Sequence, residues 1–178
     1  ASFTLENAGN EIGVLAAGTA GERTGRLTIV SNSDMAVGTA GSLTGLYSTS
    51  VVDLTTTGAN LTINEAIDTE SDANTGDTTG RAVALEATSG GEIRFGADIT
   101  SVGDQLYTGS ARMSADSTLN AVGTETLDAD IVFDGAMTNA SGGTERLTLI
   151  TDGTVTQTNS MAVDELVLKG AADFTLTN

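Results

Sequence analysis

The sequence has no cysteine, histidine, proline or tryptophan among its 178 residues. Without cysteine, neither a disulfide framework nor a thiolate site can form. Without histidine, the chain lacks the usual general base near neutral pH and the commonest metal ligand. The absence of proline fits a stack of strands whose bends are made by glycine, asparagine and aspartate. Missing cysteine does not indicate a cytosolic home, because architecture can replace crosslinks outside cells.

Basic residues are also scarce, since 7 Lys and Arg face 24 Asp and Glu for a net charge of −17. Binding to nucleic acid or to an anionic membrane surface needs clustered positive charge, so the sequence argues against both partners. No apolar run approaches the ~20 residues of a membrane span, which predicts no membrane insertion. No signal peptide opens the sequence, so for an exported protein we expect the targeting and secretion segments to lie outside these residues.

The residues that are abundant indicate a β protein. Hydrophobic residues make up 39% of the chain and aromatic residues only 3%, and there are 30 Thr beside 22 Gly. Threonine suits a half-exposed strand, and glycine supplies corners. Apolar–x–apolar triplets recur between Gly- and Asn-rich corners, and no stretch keeps a helical period. The triplets are residues 27–29, 61–63, 83–85, 93–95, 131–133, 147–149, 166–168 and 174–176.

The spacing of these triplets predicts a β-solenoid. Steps of 19 residues from Leu147 to Leu166 and 22 from Leu61 to Val83 are near the ~20 residues of one coil. Residues 93–99 also align with residues 131–137 at an offset of 38, which we interpret as two coils. The sequence therefore predicts an all-β fold, a single right-handed parallel β-helix of about eight or nine coils over residues 1–178. Its predicted core comprises Phe3, Leu5, Leu27, Ile29, Leu61, Ile63, Val83, Leu85, Ile93, Phe95, Ile131, Phe133, Leu147, Leu149, Leu166, Leu168, Phe174 and Leu176.

The first seven residues return near the end of the sequence. Residues 172–178 match residues 1–7 at five of seven positions, an offset of 171. We interpret the sequence as one ~171-residue period of a longer repeat plus the start of the next. The predicted partner is the protein itself, through the coils at Phe3/Leu5 and Phe174/Leu176. Two arrangements remain open: a continuous tandem array, or separate copies that stack head to tail.

Four phrases in order resemble those of filamentous-haemagglutinin-type large exoproteins, the two-partner-secreted β-helical adhesins. They are an N-x-x-N-x-ϕ-x-x-L-A-A phrase, an LTI phrase with its V-G-T sequel, a V-x-L-x-T-x-G-x-L coil and a G-x-Q-x-Y-x-G phrase. In this sequence they are residues 7–17, 27–39, 53–64 and 103–109, the last followed by a coil at 111–119. The resemblance implies right-handed parallel β-helices that are exported across an outer membrane for adhesion, biofilm formation or contact-dependent delivery. The family's amino-terminal secretion domain and toxin tip have no counterpart in these residues.

From these observations we expect a structural role rather than an enzyme. The favoured hypothesis is a repeating shaft segment of a secreted, extracellular or cell-surface fibre or giant adhesin. The alternative is a binding module that recognises a host or cell-surface ligand, which would need an exposed aromatic or apolar patch. Tyr47 and Tyr107 are the only tyrosines that could serve it. No cofactor is expected apart from a possible calcium ion.

The calcium candidate is an acidic stretch with oxygen-bearing side chains at alternate positions, as a hard cation requires. Ala73 and Thr79 stand where an EF-hand loop would have its glycine and its bidentate glutamate. A solvated loop between coils is the simpler interpretation, and we expect the longest excursion at residues 68–80 and a second at 139–145. The candidate ligands are Asp68, Glu70, Asp72, Asn74 and Asp77.

Two further chemistries are weaker hypotheses. The carboxylate pairs Asp128/Asp130 and Asp98/Asp134 could serve glycoside cleavage if they were stacked, although seven scattered basic residues suit no acidic sugar. Threonine arrays at residues 55–57, 154–158 and 175–177 could bind ice on a flat face. They do not recur at every coil, so we expect ordinary surface residues in both cases.

Overall fold

The computed structural model describes residues 1–70, 81–123, 128–140, 142–170 and 173–176. Within these ranges the regular secondary structure is β-strand throughout, and no helix capable of crossing a membrane is found. In chain order the strands are β1 (Phe3–Leu5), β2 (Val14–Leu15), β3 (Leu27–Ser31), β4 (Met35–Val37), β5 (Thr39–Ala40), β6 (Leu43–Thr44), β7 (Leu46–Ser48), β8 (Val52–Thr57), β9 (Leu61–Ile63), β10 (Ile67–Thr69), β11 (Arg81–Thr88), β12 (Glu92–Phe95), β13 (Ile99–Val102), β14 (Asp104–Thr108), β15 (Ser110–Met113), β16 (Ser117–Val122), β17 (Ile131–Asp134), β18 (Met137–Asn139), β19 (Arg146–Thr151), β20 (Thr154–Gln157), β21 (Met161–Ala162), β22 (Glu165–Lys169) and β23 (Asp173–Thr175).

Nearly all of these strands belong to three parallel sheets. The eight-stranded sheet has the order β1-β3-β8-β11-β14-β17-β20-β23, and the seven-stranded sheet has the order β2-β4-β9-β12-β15-β18-β21. The six-stranded sheet has the order β7-β10-β13-β16-β19-β22. From β7 onward the chain visits the eight-, seven- and six-stranded sheets in turn, so position within each sheet follows chain order. The predicted all-β class with parallel strands is confirmed.

One hydrophobic core contacts all three sheets. Along β3, β7 and β12 buried and half-buried residues alternate, as they must where one face of a pleated strand is covered. Paired residues then form inward columns, in which aliphatic side chains from successive strands pack on one another. One such column in the eight-stranded sheet consists of Phe3, Leu27, Val52, Val83, Gln105, Ile131, Val155 and Phe174.

The predicted core is right in the interior and wrong at the ends. All twelve predicted residues from Leu27 to Leu149 are buried. Phe3 and Leu5 are each 50% exposed, whereas Leu168 is 38% and Leu176 37% exposed. The reason is that the first and last strands of a sheet have a neighbour on one side only, so half of each inward side chain remains uncovered.

The predicted spacing is confirmed for one pair of triplets and wrong for two. Leu147 pairs with Leu166 in the six-stranded sheet. Leu61 and Val83, however, belong to different sheets, and so do the triplets at 93–95 and 131–133. Connections between sheets range from the single residue Gly103 to several residues, so equal spacing along the chain does not imply the same sheet.

Small residues and buried hydroxyl groups let the chain turn where strands end. Ser48 Oγ lies 2.8 Å from the carbonyl oxygen of Gly25 and accepts a hydrogen bond from the backbone N–H of Ser50 at 3.0 Å. Ser101 Oγ donates to the carbonyl oxygen of Gly103, two residues further along the chain, at 2.8 Å. These hydroxyls occupy the last inward position of their strands. There they form hydrogen bonds with backbone groups that no longer pair with a neighbouring strand.

Connections longer than these corners fall partly where the sequence predicts them. Residues 140–145 join β18 to β19, close to the predicted second excursion, whereas most of the predicted longest one at 68–80 lies outside the described residues. The antiparallel hairpin of β5 and β6 was not predicted. Its turn contains Gly41 at φ +61°, which glycine adopts without strain.

Candidate functional site

The repeated phrases lie at the two edges of the eight-stranded sheet. Phe3 in β1 pairs with Leu27, and Phe174 in β23 pairs with Val155. Parallel pairing carries this register through every intervening strand. Phe3 and Phe174 are therefore the first and last members of the same inward column. Thr4 and Thr175 are likewise the outermost members of one outward column. Sequence identity and structural position therefore agree at the two edges.

The other two sheets also have their earliest strand at one edge and their latest strand at the other. The seven-stranded sheet begins with β2 and ends with β21, and the six-stranded sheet begins with β7 and ends with β22. Beyond β7, Ala17 and Thr24 form isolated parallel bridges to Leu46 and Ser48, so residues 17–24 occupy one further position there. We call the sheet edges formed by the earliest strands the early edges, and those formed by the latest strands the late edges.

The two sets of edges expose apolar side chains. At the early edges Phe3 and Leu5 are half exposed, and Leu15 packs partly against the core. At the late edges Leu168 and Leu176 are exposed by more than a third, while Phe174 is half-buried. These side chains are the uncovered ends of the core columns. Val14 of β2 is a further exposed hydrophobic residue at an early edge, at 51%. Apolar strand edges of this kind favour pairing with another strand.

Backbone hydrogen bonds give the early and late edges opposite polarity. The N–H groups of inward residues donate to the following strand, as from Leu27 to Val51 O at 2.9 Å. The N–H groups of outward residues donate to the preceding strand, as from Ala36 to Gly13 O at 3.0 Å. The β1 edge therefore presents the backbone of its outward residues, and the β23 edge presents that of its inward residue Phe174. The two edges are complementary in the sense that adjacent parallel strands are.

Two of the predicted calcium ligands are held by an arginine. Arg23 lies 3.0 Å from Asp68 Oδ2 and 2.9 Å from Glu70 Oε1, and its side chain is only 9% exposed. Burial alone would lower the pKa of Arg23, but the hydrogen bond and charge of Asp68 and the charge of Glu70 outweigh it and raise that pKa. A cation at Asp68 and Glu70 would have to compete with this guanidinium.

The remaining predicted calcium ligands, Asp72, Asn74 and Asp77, lie outside the described residues. Within the part of the chain that is described, no three acidic side chains gather to hold a metal ion. The calcium site therefore stays a prediction.

Several other carboxylates bond backbone N–H groups of a neighbouring strand position. Asp98 Oδ1 accepts from Thr118 N at 2.7 Å, and Asp130 Oδ1 accepts from Thr154 N at 2.6 Å. Asp116 does the same for Arg146. Asp98 precedes β13 of the six-stranded sheet whereas Asp134 ends β17 of the eight-stranded sheet, so the structure does not stack that predicted pair.

The two tyrosines differ in their surroundings. Tyr107 is 1% exposed, its ring lies between those of Phe95 and Phe133, and its hydroxyl donates to Gln105 Oε1 at 2.7 Å. Burial raises the pKa of Tyr107 well above its usual value. Tyr47 is half-buried, with the Arg23 guanidinium 5.6 Å from its ring centre. Tyr107 is therefore a core residue and cannot form part of an exposed binding patch.

In the described residues, threonine does not form a flat array on the eight-stranded sheet. Thr56 points inward and is fully buried. The outward column that contains Thr28 is mixed, so the hypothesis of an ice-binding face has no structural support. Its members are Thr4, Thr28, Asp53, Ala84, Leu106, Val132, Thr156 and Thr175.

Comparisons with known proteins give no relative: no protein-family model, no curated protein and no solved structure matches the chain.

Proposed function

We propose that the chain is a shaft segment of an extracellular or cell-surface fibre or giant adhesin. In this proposal the three parallel sheets are the faces of one right-handed parallel β-helix, around which the chain winds from one face to the next. Segments join end to end along the helix axis, either as separate copies or as consecutive periods of one chain. The extracellular setting follows from the resemblance of residues 7–119 to large β-helical exoproteins.

The observation that carries the proposal is the match between sequence repeat and strand register. A phrase that recurs after 171 residues lies at the first and the last strand of the same sheet, with Phe3 and Phe174 in one column. Apolar ends and complementary backbone polarity support joining at these edges. The alternative of an aromatic binding patch is less supported, because Tyr107 is buried and Tyr47 packs beneath Arg23.

Self-association of the purified 178-residue chain tests the proposal. We expect linear oligomers that lengthen with concentration, measured by sedimentation velocity and by electron microscopy. Leu168→Glu places a charge at the uncovered end of a core column, where joining would bury it. We expect this variant to weaken association at least tenfold.

Val122→Glu is the matched control. Val122 is 43% exposed, close to the 38% of Leu168, but it lies on the outward side of β16 in the middle of its sheet. We expect this variant to associate as the unmodified chain does. A dispersed monomer at every concentration, or equal loss of association in both variants, would contradict the proposed joining of ends.

A further inference from the structure

We infer that β1 and β23 are alternative strands for a single position, and that joining two copies exchanges one for the other. This inference rests on the proposed function and specifies its interface. In the joined state, β23 of one copy lies beside β3 of the next copy, and β1 of that next copy is displaced. The partner is a second copy of this chain, bound by strand replacement rather than by contact between two intact ends.

The numbers of strands in the described residues lead to this arrangement. The eight-stranded sheet has one strand more than the seven-stranded sheet. The six-stranded sheet reaches seven positions when the bridges at Ala17 and Thr24 are included. Two copies that kept every strand would add eight positions to one face of the helix and seven to each of the others. Faces with unequal numbers of strand positions cannot stay in contact around one core. One strand of the eight-stranded sheet must therefore leave its position.

The extra strand is the repeated one. Residues 172–178 differ from residues 1–7 only where Ser2 is replaced by Asp173 and Glu6 by Thr177. The change at Asp173 falls on the outward side of the strand, since Phe174 is an inward residue and side chains alternate. The inward pair Phe174 and Leu176 is identical to Phe3 and Leu5. The segment around β23 therefore offers β3 the same apolar surface that β1 offers it.

The backbone of β23 also suits the position. Phe3 N donates to Arg26 O at 2.8 Å, the bond by which an inward residue reaches the following strand. Phe174 is an inward residue of the same column, so its N–H points toward the side where a following strand would lie. In the exchanged arrangement Phe174 N takes over the bond to Arg26 O of the next copy. Thr175 then pairs with Thr28, as Thr4 does within one copy.

The strand that must leave is weakly held. All three residues of β1 are exposed, and among the described strands β3 is its only neighbour in the sheet. Displacing β1 removes the contacts of Phe3 and Leu5, and each of these residues is half exposed even while β1 is in place. In return Phe174 and Leu176 gain a covering strand, while β21 and β22 gain neighbours at β2 and at residues 17–24 of the next copy. The exchange keeps the sheet pairing and adds cover to all three late edges.

Disulfide trapping distinguishes exchange from simple stacking, because the chain has no cysteine of its own. Paired residues on neighbouring strands lie ~5 Å apart, within the range that a disulfide can bridge. Under exchange, Thr175 of one copy lies beside Thr28 of the next. Under simple stacking, it lies beside Thr4 of the next. We therefore expect a chain with Thr175→Cys and Thr28→Cys to form covalent oligomers on oxidation, and a chain with Thr175→Cys and Thr4→Cys to form few.

Locking β1 in place gives a reversible second test. Thr4→Cys with Thr28→Cys should oxidise within one copy, because the two residues are a registered pair. We expect the oxidised protein to remain monomeric and to assemble once reductant frees β1. Ala36→Cys with Thr62→Cys crosslinks another registered parallel pair away from the edges, and its oxidised form should assemble normally.

The outcomes separate this inference from the proposed function. Abundant covalent oligomers of the chain with Thr175→Cys and Thr4→Cys, or normal assembly of the locked chain, would overturn the exchange while leaving end-to-end assembly intact. Absence of association in the unmodified chain would refute the proposed function and the exchange with it. Under exchange each copy adds seven positions, so we also expect an axial repeat of about 34 Å at ~4.8 Å per strand.

Discussion

At the scale of single residues, the least expected feature is a polar group in the aliphatic core. Gln105 is fully buried, and its amide nitrogen donates to Ser101 Oγ at 2.9 Å and to Asn120 O at 3.0 Å. Its amide oxygen accepts from Tyr107. The core predicted from the sequence does not include Tyr107, because alternation alone does not tell whether a tyrosine hydroxyl has a buried acceptor. Gln105, two residues earlier in the sequence, was the signal that could have indicated a buried acceptor for this hydroxyl.

We predict that Tyr107→Phe destabilises the protein by about 1–3 kcal/mol at neutral pH, because Gln105 Oε1 loses its donor inside the core. The same change should remove the loss of folding stability that the unmodified chain shows at alkaline pH. In the folded chain burial raises the pKa of Tyr107 well above its usual value, whereas an unfolded tyrosine ionises near about 10. Unfolding above that pH therefore releases a proton, and stability falls as the pH rises. Urea unfolding followed by circular dichroism at about pH 7 and above about pH 10 measures both effects.

Tyr47→Phe is the control for this prediction, since Tyr47 is half-buried and lies outside the network of Gln105. We expect this variant to keep the steep loss of stability above about pH 10. If Tyr107→Phe showed the same alkaline loss as the unmodified chain, burial of its hydroxyl would not be the cause.

At the scale of strands and corners, the sequence predicts inward residues well and the assignment to sheets poorly. A triplet such as residues 93–95 shows which side chains point inward, because alternation is local. It does not show which face of the molecule the strand joins, because triplets of all three sheets look alike. That information lies in the connections, where a single Gly103 joins β13 to β14 but three residues, 96–98, join β12 to β13.

The corner at Gly109 offers a test of how closely neighbouring connections pack. Gly109 has φ +106°, and a Cβ atom there would meet the carbonyl oxygen of Ala87 on the adjacent strand. Gly109→Ala must therefore shift the backbone between β11 and β14 as well as adopt a strained dihedral angle. We expect it to lower the free energy of unfolding by about 3 kcal/mol or more. The midpoint of urea unfolding gives the comparison.

Gly58→Ala separates the two contributions. Gly58 has φ +67° but open space around its missing Cβ. A substitution there adds only the cost of a left-handed conformation, about 1–2 kcal/mol. Equal losses in the two variants would mean that close packing at Gly109 contributes nothing.

At the scale of the whole molecule, the sequence reveals the candidate interface but not how it would work. The recurrence of residues 1–7 identifies both edges, because the match is at the level of letters. The surplus strand becomes evident only from the strand orders of the three sheets, since counting positions requires knowing which strands pair. Residues 17–24 have no apolar–x–apolar triplet, so their place beside β7 could not be predicted.

The net charge of −17 acts on the same interface from a distance. In the proposed assembly, two copies that approach end to end repel each other through charge that is spread over many carboxylates, while the contact itself covers apolar side chains such as Leu168 and Phe174. Raising the ionic strength from about 0.01 to about 0.15 M shortens the Debye length from about 30 to about 8 Å. This screening reduces the repulsion and leaves the apolar contact in place.

We therefore predict that sodium chloride strengthens association at least tenfold over that range, measured by sedimentation equilibrium. Val122→Glu, which adds one negative charge away from the edges, should show the same response to salt. Leu168→Glu should remain the weaker associator at every salt concentration, because its defect is the burial of a charge at the contact itself. Association that weakened as salt was added would instead mean that ion pairs between copies hold the ends together, contrary to an apolar interface.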